Sequence, residues 1–267
     1  MTLRPGGWLA ALDIDGTILH EDGFLSDTVR RAVRDADARG NEVMLATGRS
    51  AASTTPVLEQ LGVLPRYLVC SNGAVTLERD ADDASGYRRA RVETFDPTEV
   101  LTTISGALSD ARYAVEDAEG RFRYTARFPE SAVGPGSEEV PFESLLEVEA
   151  TRVVVISPNH ATEEFLGVVE QMGLSRVSYA IGWTAWLDIA PDGVNKATAM
   201  EWVRGRLGVP IERTVAIGDG RNDIDMLEWA GRGVAMGQAP AEVVAAADET
   251  TREVRDDGLA KVLDTLP

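Results

Sequence analysis

The chain has 267 residues, 44% hydrophobic and 26% charged, an ordinary globular composition long enough for one large core or two modest ones. Its 44 Asp and Glu outnumber 26 Lys and Arg for a formal charge of −18, which disfavours nucleic acid and anionic lipid as partners and leaves any phosphate-bearing ligand to local groups or a divalent cation. No stretch approaches ~20 consecutive apolar residues, so a membrane helix is excluded; with no signal core at the N-terminus the expected location is cytoplasmic.

The first apolar run, Trp8-Leu9-Ala10-Ala11-Leu12, leads directly into Asp13-Ile14-Asp15-Gly16-Thr17. Its length suits a strand buried on both faces, as in the middle of a parallel sheet. If the strand continues, Asp13 and Asp15 point the same way. Two carboxylates held together repel unless a proton or cation intervenes, although Asp and Gly are also common turn residues.

Ser26 then caps a helix with Val29, Ala32, Val33 and Ala36 on one face, ending at Gly40. A strand Val43–Ala46 runs into Thr47-Gly48-Arg49, and Thr55-Pro56 opens a helix stopped by Gly62. A third strand, Tyr67–Ser71, holds the single cysteine, Cys70, as a buried inert thiol, and leads into Asn72-Gly73-Ala74. Strand and helix alternate as in a parallel sheet with crossover helices, whose ligand site lies beyond the carboxyl ends of the strands.

From about residue 79 the pattern changes. Arg79–Arg91 reads as an exposed connection or strand edge, and Asp96-Pro97-Thr98-Glu99 as a capping box before Val100, Leu101, Ile104 and Leu108. A hairpin turns at Gly120, with Phe122 and Tyr124 on its covered face and the arginines at 121, 123 and 127 on its solvated one. A strand Arg152–Ser157, a helix 161–172 and strands near Val177–Ile181 and 185–189 complete an inserted α+β region. His20 and His160 show no partner spacing. The parallel pattern resumes near Pro191. A helix begins near Asn195, the strand Thr214–Ile217 ends in Gly218-Asp219, and Asn222 and Asp223 open the next helix. The strand Gly233–Met236 and helices near 242–247 and 259–266 close the chain. Three strand-end aspartates aimed into one crevice make a hard-oxygen site suited to Mg²⁺.

These motifs resemble the haloacid dehalogenase superfamily, specifically its Cof-like sugar-phosphate phosphatases. Asp13-Ile14-Asp15-Gly16-Thr17 is similar to the first motif and Ala46-Thr47-Gly48-Arg49 to the second. Gly193-Val194-Asn195-Lys196 is similar to the third, and Gly218-Asp219 with Asn222-Asp223 to the fourth. Ser71-Asn72-Gly73-Ala74, Gly233–Gly237 and Asp257-Gly258-Leu259-Ala260 are similar to secondary signatures of the subgroup. The resemblance implies an α/β fold, with a Rossmann-like parallel-sheet core over 1–78 and 190–267 and an inserted α+β cap over 79–189. It implies a phosphatase for a small-molecule phosphate ester, acting as monomer or homodimer. Asp13 is the implied nucleophile and Asp15 the acid and base, with Thr47 and Lys196 on the transferring oxygens. The implied Mg²⁺ ligands are Asp13, Asp219, Asp15 through its carbonyl, and Asp223, directly or through water. Gly48, Arg49, Asn72 and Asn222 are implied near the substrate. Two other functions share the same fold, a phosphomutase or phosphotransferase and a non-catalytic phosphate-binding protein. The subgroup often has asparagine where this chain has Gln238, a departure that reads as loop packing without bearing on the chemistry.

Overall fold

The computed structural model describes residues 6–108, 110–126, 128, 136–158, 177–181 and 186–267. In chain order the elements are β1 (Leu9–Leu12), α1 (Asp27–Ala38), β2 (Glu42–Leu45), α2 (Ala51–Leu61), β3 (Tyr67–Cys70), β4 (Val75–Arg79), β5 (Tyr87–Val92), α3 (Thr98–Ala107), β6 (Arg112–Asp117) and β7 (Phe122–Tyr124). They continue with β8 (Glu138–Glu139), α4 (Phe142–Leu145), β9 (Ala150–Ile156), β10 (Val177–Ile181), β11 (Trp186–Pro191), α5 (Lys196–Leu207), β12 (Thr214–Gly218), α6 (Ile224–Trp229), β13 (Gly233–Ala235), α7 (Ala241–Ala246), β14 (Glu249–Thr250) and α8 (Gly258–Leu263). The helix expected over 161–172, His160 and the arginine at 127 lie outside the described residues.

β1 is buried at every position because it lies inside a parallel sheet of order β14-β13-β12-β1-β2. Ala10 and Leu12 pack with α1 and α8 on one face, while Leu9 and Ala11 pack with Ala199, Met200 and Val203 of α5 on the other. Leu12 is level with both Ile217 of β12 and Leu45 of β2. That register brings the carboxyl ends of β1, β2 and β12 side by side, and with them Asp13, Thr47 and Asp219. A bridge from Ala46 to Val69 continues the layer to β3, which carries the antiparallel strands β4 and β5. Residues 79–91, read from sequence as a connection or strand edge, thus include the edge strand β5.

The inserted sheet has the order β10-β11-β9-β6-β7-β8. One face packs Tyr113, Val115, Val153, Val155, Leu187 and Ile189 against α3 and α4. Period-two alternation sends Arg152 and Val154 of β9 to the other face. This is the parallel core with inserted cap that the motifs imply.

Two helix starts show how caps outrank composition. α2 begins a turn before Thr55-Pro56, because Ser50 caps it (Ser53 N to Ser50 Oγ, 3.4 Å) and leaves Pro56 in its second turn. Ser26 caps α1 as expected, its Oγ accepting from Val29 N at 3.0 Å. The same hydroxyl donates to Asp257 Oδ1 at 2.5 Å and so ties α1 to the turn before α8. Ser26→Ala is expected to lower stability by about 1 kcal/mol. Urea unfolding should show a lower midpoint at unchanged slope; an unmoved midpoint would mean that the cap carries no net energy.

Candidate active site

Beyond Leu12 the chain stays in the sheet for one more residue, with Asp13 N donating to Ile217 O at 3.0 Å. It then turns, as the Ile14 carbonyl accepts from Ile18 N (3.0 Å) and Leu19 N (2.8 Å). Gly16 sits in this turn at φ +81°, and a Cβ there would fall 2.1 Å from Asp219 Oδ2. Both the backbone and the close approach of Asp219 therefore require glycine. The turn separates the two aspartates that a continued strand would have aligned. Asp13 is buried, whereas the Asp15 side chain is 61% exposed.

Lys196 stands at the first position of α5, behind a reciprocal cap between Asn195 and Thr198. A lysine there opposes the helix dipole and would ordinarily be solvated. Here it is fully buried, with Nζ 2.7 Å from Asp13 Oδ1 and 2.6 Å from Asp223 Oδ1. The other Asp223 oxygen accepts from the backbone N–H groups of Asp219 (3.0 Å) and Gly220 (2.9 Å). Asp223 is thus largely committed to internal donors. Asp219 receives only longer contacts, from Thr17 Oγ1 at 3.4 Å and Gln238 Nε2 at 3.3 Å.

Ligand atoms of Asp13, Asp219 and Asp223 lie within 4.8 Å of one another, and all three residues are buried. Burial and the neighbouring Asp223 push the Asp13 carboxyl well above its ordinary range and that of Asp219 up to about 7. Burial alone would lower the Lys196 ammonium, but Asp13 and Asp223 hold it above its usual value. Three carboxylates against one ammonium leave two negative charges in excess, an all-oxygen donor set that fits a divalent cation.

The remaining expected residues form the rim. Thr47 is buried, and its Oγ1 accepts from Arg49 N at 3.1 Å, which leaves the hydroxyl proton to donate elsewhere. The Arg49 guanidinium forks onto Asp15, Nε to Oδ2 at 2.8 Å and Nη2 to Oδ1 at 2.5 Å. Asn72 Oδ1 accepts from Asn222 Nδ2 at 3.0 Å, and a Cβ on Gly48 would lie 3.1 Å from that same oxygen. Ser71 and Asn72 both have positive φ, +48° and +52°, a conformation that costs non-glycine residues of order 1 kcal/mol each. It places Ser71 Oγ 2.7 Å from Glu116 Oε2 of the cap.

Glu116 belongs to a group that the sequence reading did not single out. It is the register partner of Arg152 across β6 and β9, and Asp188 of β11 faces Val154 on the same side of the sheet. Arg152 Nη1 donates to the Gly48 carbonyl and lies 3.4 Å from Asp188 Oδ1; Arg152 Nε is 3.4 Å from Glu116 Oε2. Trp186 Nε1 donates to Asp188 Oδ2 at 3.0 Å. The available signal was a charged residue inside an apolar run, as in Thr151-Arg152-Val153-Val154, since a buried charge needs a partner. Gln238 packs the loop, accepting from Val254 N, and its amide also donates to Gly16 O and the Asp219 carboxylate, which places it at the acidic cluster as well.

A profile of haloacid dehalogenase-like hydrolases matches residues 10–263. The chain belongs to this family. Among curated relatives, 5-amino-6-(5-phospho-D-ribitylamino)uracil phosphatase YitU of Bacillus subtilis is 30% identical over 98% of each chain. Phosphoglycolate phosphatase of Natronomonas pharaonis is 30% identical over 95% of each. A solved structure, the HAD subclass IIB sugar phosphatase BT4131, superposes with a TM-score of 0.80 at 23% identity, covering 96% of this chain and 98% of that one. This hydrolase is a phosphatase, and its relatives support the Cof-like subgroup. Among the described residues no helix is long and apolar enough to cross a membrane.

The raised carboxyls set a pH dependence. An unfolded Asp219 loses its proton near 3.8, whereas the folded one holds it to about 7, so folding binds protons between these values. Stability of the metal-free protein should therefore fall as pH rises from 3.8 through about 7. A divalent cation needs the ionised carboxylates, so its stabilising effect should be larger above pH 7 than below it. Thermal melts across this range, with chelator and with excess cation, provide the check; a cation effect independent of pH would contradict it.

Proposed function

We propose that the chain hydrolyses small phosphate monoesters with Mg²⁺, through a phosphoryl group carried transiently on Asp13. The observation that carries this reading is the buried Lys196, held between Asp13 and Asp223 with Asp219 alongside. Asp13 and Asp219 would hold Mg²⁺ by their carboxylates and Asp15 by its backbone carbonyl. The saturated carboxylate of Asp223 suits a role through Lys196 or a water better than direct ligation. When bound, Mg²⁺ supplies the positive charge that lets an anionic carboxylate approach an anionic phosphate.

In the first step an Asp13 carboxylate oxygen bonds to phosphorus, and the bond from phosphorus to the leaving oxygen breaks. That oxygen takes a proton from Asp15. In the second step a water gives a proton to Asp15, its oxygen bonds to phosphorus, and the bond to Asp13 breaks. Lys196 and the Thr47 hydroxyl hold the transferring oxygens. Arg49 has two acceptors, Asp15 and the incoming ester, and passes between them as the substrate enters. Gly48, Asn72 and Asn222 shape the rim, and Glu116, Arg152 and Asp188 present the cap's polar face to the leaving group. The cap is taken as 79–189 and the core as 1–78 with 190–267, in a cytoplasmic monomer or homodimer.

A phosphate-release panel tests the function, run with Mg²⁺ and with chelator. It should include both 5-amino-6-(5-phospho-D-ribitylamino)uracil and phosphoglycolate, because the two relatives named above differ in leaving group. Metal-dependent release is expected, and its absence across the panel would favour a non-catalytic phosphate-binding role. Transfer to an added sugar in place of water would indicate a phosphotransferase.

Removing the nucleophile in Asp13→Asn should lower kcat by roughly 10⁴-fold or more. Asp15→Asn should lower it by about 10²–10⁴-fold. A fully active Asp13→Asn enzyme would remove Asp13 from the nucleophile's role.

A further inference from the structure

Gln238 follows β13 and reaches three places at once. Its Nε2 donates to Gly16 O at 2.6 Å and to Asp219 Oδ2 at 3.3 Å, while its Oε1 accepts from Val254 N at 3.0 Å. A primary amide has two N–H donors on one end and an acceptor on the other, and here every partner matches. The reversed amide would set an oxygen against the Gly16 carbonyl and the Asp219 carboxylate. The orientation is therefore determined by its neighbours.

The two groups gripped by Nε2 are the ones whose spacing matters for the acidic cluster. Gly16 closes the turn after Asp13, and Asp219 lies so near it that a Cβ on Gly16 would overlap the carboxylate. The anchor at the far end is also firm. A Cβ on Gly237 would stand 2.8 Å from Glu253 N, so the 251–253 backbone is packed directly against the start of this loop.

We infer that Gln238 is a positioning residue for the cation site, a tether that holds the Asp219 carboxylate at a set distance from the Asp13–Gly16 turn. The inference rests on the reading of Asp13 and Asp219 as cation ligands. Such outer contacts matter because they orient a ligand before the metal arrives, and their loss typically lowers metal affinity about 10- to 100-fold. The length of the side chain is part of the device. Asparagine is one methylene shorter and cannot keep the Val254 anchor while reaching both Gly16 O and Asp219.

The test is calorimetric titration of the metal-free protein with Mg²⁺, and with Mn²⁺, in the absence of substrate. Wild type is compared with Gln238→Met, which keeps length without hydrogen bonds, and with Gln238→Asn. The dissociation constant should rise about tenfold or more in Gln238→Met and by a smaller factor in Gln238→Asn. The half-saturating Mg²⁺ concentration for phosphate release should move by the same factor. A merely structural Gln238 would lower the melting temperature of the metal-free protein and leave the dissociation constant unchanged, and that result overturns the inference. Should Gln238→Met fail to fold, the Gln238→Asn titration alone decides. Absence of cation binding by wild type would sink the ligand reading and the tether with it. Binding in wild type with no change in the variants would sink the tether alone.

Discussion

The structure depends on one buried ammonium. Lys196 is enclosed, and a lone charge there would carry a desolvation cost of several kcal/mol. It is tolerated because Asp13 and Asp223 contact it at 2.7 and 2.6 Å. The converse also holds, since without Lys196 the three carboxylates would face one another unrelieved. Even with it, burial, and after it the neighbouring Asp223, hold the Asp13 and Asp219 carboxyls above the ordinary range. A site of this kind is poised to exchange protons for a cation.

Around that cluster the other cations are already matched. Arg49 is forked onto Asp15, and Arg152 lies between Glu116 and Asp188 while donating to the Gly48 carbonyl. The Arg152 contact joins the cap to the loop that carries Thr47. Ser71 makes the second junction, from a strained left-handed backbone to Glu116. Polar contacts thus join cap and core at the rim of the acidic site, while one apolar cluster of the cap lies on the far face of its sheet and a second, with Phe122 and Val154, shares the face of Arg152.

Much of this was legible in the chain. A five-residue apolar run before Asp13 suited a strand buried on both faces, and the two apolar clusters on either side of β1 agree. The face of α1 and the Ser26 cap followed from helical periodicity. What periodicity could not see were long-range choices among polar groups. The fork of Arg49 onto Asp15 is one such choice; the reach of Gln238, expected to pack a loop, to Asp219 is another. α2 starts before the expected Thr55-Pro56 for a smaller reason, because Ser50 caps it.

Local sequence sets the strand-and-helix rhythm, the residues at the strand ends and the chemistry those residue types can support. These depend on side-chain periods of two and 3.6 and on local turn chemistry, all contained within a few neighbouring positions. Which carboxylate faces which cation, the burial of Lys196 and the separation of Asp13 from Asp15 arise instead from the folded chain. Those outcomes depend on contacts between residues separated by 183 positions for Lys196 with Asp13 and 222 for Gln238 with Gly16. The register of β12 beside β1 sets such distances, and no local pattern records it.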